Sequence, residues 1–396
     1  MKFSKKVQKC GLSPMRKFHP YAVAARAAGK KIYHLNIGQP DIVTPAESFE
    51  ALRRFDQPVL EYVESPGKPE LIAAVKGYYE KLGIFFSEDD ILITTGGSEA
   101  LQIVMNCILD DGDEVLVPEP FYPNYNTFIC SAGGTICPVP TTAEEGYIYA
   151  ERSRMEPLIN ANTRAILITN PGNPTGVVLS EDEMQMLVDL AVEHDLFLIC
   201  DEVYREFVYG GEALTSVARY AKAAEHVVLI DSVSKRFSAC GARVGALLSR
   251  NKELMGHALK YCQARLSVAT LDQVAAAALY TVPDDYFIAT REEYRRRRDT
   301  VMAGLEKIPG VVCKCPGGAF YLMAKLPVDS ADAFQQWLLT DFSDNGETVM
   351  FAPGESFYAT PGKGVDEVRI AYVLNETDLA RAMELLAKGI EAYNNR

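Results

Sequence analysis

Five short apolar runs lie between residues 90 and 250: DILIT (90–94), DEVLVP (113–118), RAILIT (164–169), LFLIC (196–200) and HVVLI (226–230). Each has the length of a strand, and each lacks the alternating polar residues of a sheet with one wet face. Between them lie stretches such as SEALQIVMNCIL and SEDEMQMLVDLAVEHD, whose apolar residues recur at helical spacing. Several begin with Ser or Asp ahead of a carboxylate, a pattern that closes a helix N-terminus. Strands that alternate with helices predict an α/β fold with a mostly parallel sheet, because parallel neighbours need a crossover to connect them. Ligands of such sheets bind beyond the carboxyl ends of the strands. The residues that follow the five runs are TGGSEA, EPFYPNY, NPGNPTG, DEVY and DSVSK, so they bear most directly on function.

The 396 residues suffice for two or three domains at about 100–200 residues each. Past residue 280 the texture changes to long charged helices, followed by two further strand patterns, PGGAFYLMAKL and DEVRIAYVLN. With KKIYHLNIGQPD near the start, these predict a smaller α+β domain built from both chain ends. The expected division is residues 1–45 as an N-terminal arm and part of the small domain, 46–280 as the large domain and 281–396 as the small C-terminal domain.

A net charge of −13 argues against nucleic acid and anionic membranes, which reward positive surface. The basic cluster REEYRRRRDT (291–300) carries its own carboxylates and reads as a solvated helix face. Nine cysteines without a C-x-x-C and five histidines without an H-E-x-x-H predict reduced thiols and no metal site. The C-x-C at Cys313 and Cys315 reads as alternation along a strand. The first 18 residues lack the apolar core of a secretory signal, and no apolar stretch approaches the roughly 20 residues that span a bilayer. The expectation is a cytoplasmic protein.

The strand ends carry specific chemistry. Gly97 and Ser98 stand at a strand-to-helix junction, where free N–H groups and the helix dipole attract an anion; alone, such a pair is more often a tight turn. Ser232, Ser234 and Arg243 add hydroxyls and a guanidinium suited to phosphate. Lys235 follows a buried strand among small residues, where a partly desolvated amine becomes a nucleophile toward carbonyls; taken singly it would be a surface cation. Asp201 closes a strand beside Tyr204, and a buried carboxylate needs a cationic partner, although a helix cap is the plainer use of such an Asp. One ligand satisfies all of these together, with a phosphate, an aldehyde, a pyridinium nitrogen and a phenolic oxygen. That ligand is pyridoxal 5′-phosphate.

From LNIGQPDIVTP to VRIAYVLN the chain resembles the fold-type I pyridoxal-phosphate enzymes, specifically the class I/II aminotransferases and most closely their bacterial aspartate aminotransferase-like members. NPGNPTG, DEVY and S-x-S-K-x-x-x-x-x-G-x-R-x-G occur in the family's order and spacing. The resemblance implies a large, mostly parallel-sheet domain with a smaller α+β domain. It makes Lys235 the Schiff-base lysine and proton shuttle, sets Asp201 on the ring nitrogen, and sets Tyr204 and Asn173 on the ring hydroxyl oxygen. Gly97, Ser98, Ser232, Ser234 and Arg243 should hold phosphate, and Tyr122 should stack on the ring. Tyr62, in EYVESPGKPEL, should reach the phosphate of a second subunit, which implies a homodimer with shared sites. Arg369 should clamp the substrate α-carboxylate with Asn173 and the Gly38 backbone.

The implied reaction is ping-pong transamination between an L-amino acid and a 2-oxo acid, with aspartate or an aromatic amino acid as donor and 2-oxoglutarate as acceptor. Many bacterial relatives carry Lys where this chain has Ser98, which puts aspartate specificity in question. Arg265, in QARLSVAT, is a candidate replacement for reading a distal carboxylate, and equally a structural cation at a helix end. Arg16, in SPMRKF, is a second candidate. An aliphatic or alanine-type aminotransferase and a C–S β-lyase are the alternatives on the same scaffold; a lyase would release pyruvate and ammonia without an acceptor. A cofactor-binding transcriptional regulator is disfavoured by the acidity and by the lack of a helix-turn-helix pattern before residue 30.

Overall fold

A computed structural model describes residues 1–11, 16–211 and 214–396. Its strands in chain order are β1 (Lys31–His34), β2 (Ile91–Thr94), β3 (Glu114–Pro118), β4 (Thr135–Val139), β5 (Thr163–Thr169), β6 (Phe197–Asp201), β7 (Val227–Ser232), β8 (Gly245–Leu248), β9 (Tyr321–Lys325), β10 (Glu347–Met350), β11 (Ala352–Pro353) and β12 (Glu367–Ala371). Seven of them form one sheet in the order β2-β8-β7-β6-β5-β3-β4. Only β8 runs antiparallel to its neighbours.

The five apolar runs supply β2, β3, β5, β6 and β7. Their side chains alternate between two apolar layers, as a period of two requires. Ile93, Leu116, Ile166, Leu198 and Leu229 enter one layer, while Leu92, Val117, Leu167, Ile199 and Val228 enter the other. Both layers are covered by helices, which explains why the runs show no polar alternation. The helix Glu181–Glu193 opens with the expected capping box, Ser180 with Glu183. Ser98 instead lies inside the first turn of the helix Gly96–Ile108, whose N-cap position is Thr95.

Two strands of the large sheet are not legible in the sequence. β4 is an edge strand containing Pro138, tolerated there because an edge need not donate on both sides. β8 is only the four residues GALL, within a Gly-rich stretch. It packs so closely on the turn before the helix Gly96–Ile108 that a Cβ on Gly245 would lie 2.5 Å from the Gly96 carbonyl carbon. That contact seats the helix N-terminus against the end of β7.

The chain ends meet in a second region. β1 pairs in parallel with β10, placing Lys31 opposite Glu347, and β11, β12 and β9 form an antiparallel sheet. Its core gathers Tyr33, Phe334, Val349, Ile370 and Leu386. Arg297 departs from the expected solvated face of the basic cluster. It is 5% exposed, because its guanidinium donates to Asp41 at 2.6 Å, to the Val373 carbonyl at 2.6 Å and to Glu293 at 2.8 Å. Arg295 and Arg296 behave as expected, paired with Glu292 and Glu293 on the surface. Cys313 and Cys315 are not on a strand: they follow an isolated bridge at Val312 in an irregular segment leading to β9. All nine cysteines are free, and among the described residues no helix is long and apolar enough to cross a membrane.

Candidate active site

The carboxyl ends of the sheet strands open into a cavity of about 780 Å³. Its floor is the end of β6. Asp201 is 7% exposed there, accepting hydrogen bonds from the Tyr125 hydroxyl at 2.9 Å and the Val203 N–H at 3.3 Å. Burial pushes its carboxyl up to about 6 against the opposing pull of those two donors. Among the described residues it forms no ion pair, so it is a buried acid suited to a cationic partner.

Beyond β7 the chain turns into the short helix Val233–Arg236, capped by Ser232, whose Oγ accepts from the Ser234 N–H at 3.1 Å. Ser232 and Ser234 share a hydroxyl hydrogen bond of 2.8 Å. The helix projects Lys235 into the cavity, where Nζ donates to the Gly38 carbonyl at 3.0 Å and lies 3.8 Å from Cys240 Sγ. Arg243 follows in the left-handed region at φ 51° and donates to the Cys240 carbonyl at 3.2 Å. Gly97 and Ser98, in the first turn of the helix Gly96–Ile108, line the same wall. Helix N–H groups, two hydroxyls and a guanidinium thus converge, and among the described residues the only carboxylate on the cavity wall is Asp201.

The opposite wall comes from the second region. Arg369 on β12 is 4% exposed, donating to Asn173 Oδ1 at 3.2 Å and to the Asn36 carbonyl at 2.9 Å. Its Nε has no partner, and no carboxylate neutralises it among the described residues. Desolvation lowers its affinity for its proton, while the Tyr321 ring lies 4.6 Å from the guanidinium. Such an arginine is built for an anion that arrives with the ligand. Asn173 also donates to the Tyr204 hydroxyl at 3.3 Å, and that hydroxyl is 3.1 Å from the Tyr321 hydroxyl. A Cβ on Gly38 would overlap the Tyr321 ring, so the loop passes as bare backbone. Tyr122 lines the cavity with its phenol pushed up by burial.

Two residues named from the sequence lie elsewhere. Tyr62 is 80% exposed and away from the cavity wall. Arg265 ends the helix Lys252–Arg265, donating to the Ser65 and Ile93 carbonyls at 3.3 Å each, with Glu99 at 3.5 Å. These are the contacts of a helix-end cation within its own subunit. Arg16 does line the cavity.

Sequence reasoning missed Gly96, Tyr125, Cys240, Asn36, His34 and Arg26. Gly96 and Tyr125 had a signal, as the other glycine of the pair and the last aromatic of FYPNY. Asn36 and Cys240 lie inside the LNIGQPD and S-x-S-K-x-x-x-x-x-G segments; His34 and Arg26 had no signal, because tertiary packing alone brings them to the site.

The fold and this donor set define a pyridoxal-phosphate enzyme. The anion cradle, the projecting lysine, the buried acid at the end of β6 and the uncompensated arginine each match one group of the cofactor or of its amino-acid substrate. Residues 30–386 match the family described as aminotransferase class I and II. The aspartate/prephenate aminotransferase of Thermus thermophilus is 32% identical over 97% of this chain and 98% of its own. Among solved structures, a single mutant of Thermus thermophilus aspartate aminotransferase superposes with a TM-score of 0.90 at 30% identity, covering 98% of this chain and 100% of that one. An alanine aminotransferase from Pyrococcus furiosus also reaches 0.90, at 28% identity over 99% of this chain and 100% of its own. The chain belongs to the class I and II aminotransferases, and it is a pyridoxal-phosphate-dependent enzyme of that family.

Proposed function

We propose that the enzyme transfers an amino group from a dicarboxylic L-amino acid, such as aspartate, to 2-oxoglutarate by a ping-pong mechanism. The observation that carries transfer from an amino acid is the buried Arg369, uncompensated in the same cavity as Lys235; the choice of a dicarboxylic donor rests on the relatives. The names of the relatives favour acidic donors over neutral ones, although the alanine enzyme shows that the fold alone does not choose.

In this reading Gly97, Ser98, Ser232, Ser234 and Arg243 hold the phosphate, with Tyr62 of a second subunit completing the cradle in a homodimer. Tyr122 covers one face of the ring, and Tyr204 and Asn173 hold its hydroxyl oxygen. Asp201 pairs with the protonated ring nitrogen, and that pairing keeps the carboxylate ionised at neutral pH. The cofactor, when bound, supplies an electron sink for charge developing at the substrate Cα. Arg369 fixes the α-carboxylate through its unused Nε edge, with Asn173 and the Gly38 backbone limiting how the substrate can turn. Lys235, steadied by the Gly38 carbonyl, takes the Cα proton and returns it on the other side of the transfer. Residues 46–280 would form the large cofactor-binding unit, with 1–45 and 281–396 forming the smaller unit that carries Arg369.

The test is to add single amino acids to the coloured enzyme without any oxo acid and follow the visible cofactor band. Loss of the band with aspartate or glutamate, and its return with 2-oxoglutarate, is the expected result. Conversion by alanine or phenylalanine alone would overturn the dicarboxylic assignment. Steady pyruvate release without conversion would overturn transamination.

A further inference from the structure

The N-terminal helix His19–Ala27 turns one face to the cavity: His19, Ala22 and Arg26, spaced three and four residues apart, all line it. His34, at the end of β1, lines it as well. Arg26 is close enough to His34 to add, after burial, to the lowering of the imidazole's proton affinity. Neither Arg26 nor His19 has a carboxylate partner among the described residues, and the hydrogen bond of His34 is to the neutral Asn36 amide at 3.2 Å. This wall therefore holds the Arg26 guanidinium with no carboxylate partner among the described residues.

The wall adjoins the segment that holds the α-carboxylate clamp. Arg369 donates to the Asn36 carbonyl at a bend just past β1, and His34 lies two residues back at the end of that strand, its ring meeting the Asn36 side chain. Two residues of chain span at most about 7 Å. A molecule anchored by one carboxylate at Arg369 would need its second anionic group several bonds away to reach His34 and Arg26.

We propose that Arg26, with His34 beside it, binds a second anionic group of the substrate. The substrate class is dicarboxylic amino acids and 2-oxo acids, those of glutamate length or longer reaching this pair better than aspartate. This inference rests on the transamination reading above and names the substrate class for that site. It assigns to the N-terminal helix the task that Arg265, tied to the Ser65 and Ile93 carbonyls, does not perform within its own subunit.

The experiment uses holoenzyme and single-turnover loss of the visible band, with aspartate, glutamate, 2-aminoadipate and leucine as separate donors. For Arg26→Gln the preference for glutamate over leucine should fall at least tenfold, with 2-aminoadipate losing as much and aspartate less. Arg26→Lys should restore part of that preference, because it returns the charge without the fork. His34→Gln should lower the same ratio more weakly. A glutamate-to-leucine ratio unchanged in Arg26→Gln, or a loss steepest for aspartate, would overturn the proposal while leaving transamination intact. Failure of every donor to convert the wild-type band would overturn the reading on which it rests, and the proposal with it.

Discussion

A Cβ placed on Gly96 would stand 2.5 Å from Nη2 of Arg243. The guanidinium therefore lies directly over the N-terminus of the helix Gly96–Ile108, and Gly96 makes room for it at φ 73°. Gly96→Ala meets both obstacles: a backbone conformation that costs a side-chain-bearing residue about 1–2 kcal/mol, and displacement of the arginine from the anion cradle. Cofactor affinity should fall by tenfold or more while the fold survives. Equilibrium dialysis of the cofactor, with circular dichroism as the control, checks this.

Lys235→Ala should separate binding from turnover. The proposed phosphate cradle and Asp201 are untouched by the substitution, so the purified variant should still retain cofactor. It should lose at least 10³-fold in transamination, within the range by which a displaced catalytic amine slows proton transfer. Coupled assay of 2-oxoglutarate consumption measures the loss, and unchanged turnover would remove Lys235 from the mechanism.

Much of this was legible because the chemistry sits at strand ends, and strand ends are marked in the sequence by where apolar runs stop. Asp201 and the DSVSK segment are placed that way by the sequence alone, since β6 and β7 are buried on both faces and their runs are unbroken. Arg369 was legible through its motif, not through a pattern. The Arg26 and His34 wall was not, because it depends on β1 pairing with β10 more than 300 residues later, and nothing local announces that register. Arg297 misled for a related reason: its neighbours are solvated, and only Asp41 and the Val373 carbonyl, both remote in sequence, draw it inward. β8 was hidden because four residues among glycines carry too little periodicity to read.

Asp201 should make the stability of the apoenzyme depend on pH. Its carboxyl is raised from the usual 3.8 to about 6 in the fold. Its burial therefore adds no penalty below about pH 4, a growing one as the pH rises through the window from 4 to 6, and the full penalty above it, on the order of 3 kcal/mol. On the proposed pairing of Asp201 with the ring nitrogen, cofactor binding would supply the missing cation and offset that penalty. The rise in melting temperature on adding cofactor should thus be larger at pH 7.5 than at pH 5, by a few degrees. Asp201→Asn should erase that difference between the two pH values. Glu202 and Glu367 are raised by burial too, so the comparison to make is wild type against Asp201→Asn at each pH. An equal cofactor effect at both pH values in the wild type would count against the assignment of Asp201 to the ring nitrogen.

Arg236, the neighbour of Lys235, holds the short helix that carries the lysine. It is fully buried, paired with Asp231 and stacked 4.4 Å over the Tyr78 ring, while Tyr79 donates its hydroxyl to Asp231 at 2.8 Å. Removing one member of such a pair leaves the other charge buried alone, at a cost of about 3–5 kcal/mol. Arg236→Met should therefore lower denaturation midpoints severely. Asp231→Asn combined with Arg236→Met should recover much of the loss, because no charge is then stranded, although Ser232 N–H and Tyr79 must still find an acceptor in the amide. The coupling between the two substitutions, read from urea midpoints of the two single variants and the double, is expected to exceed 1 kcal/mol. Additive losses would mean that the two side chains act independently, and that the lysine helix is held by packing on Tyr78 and Phe237 instead.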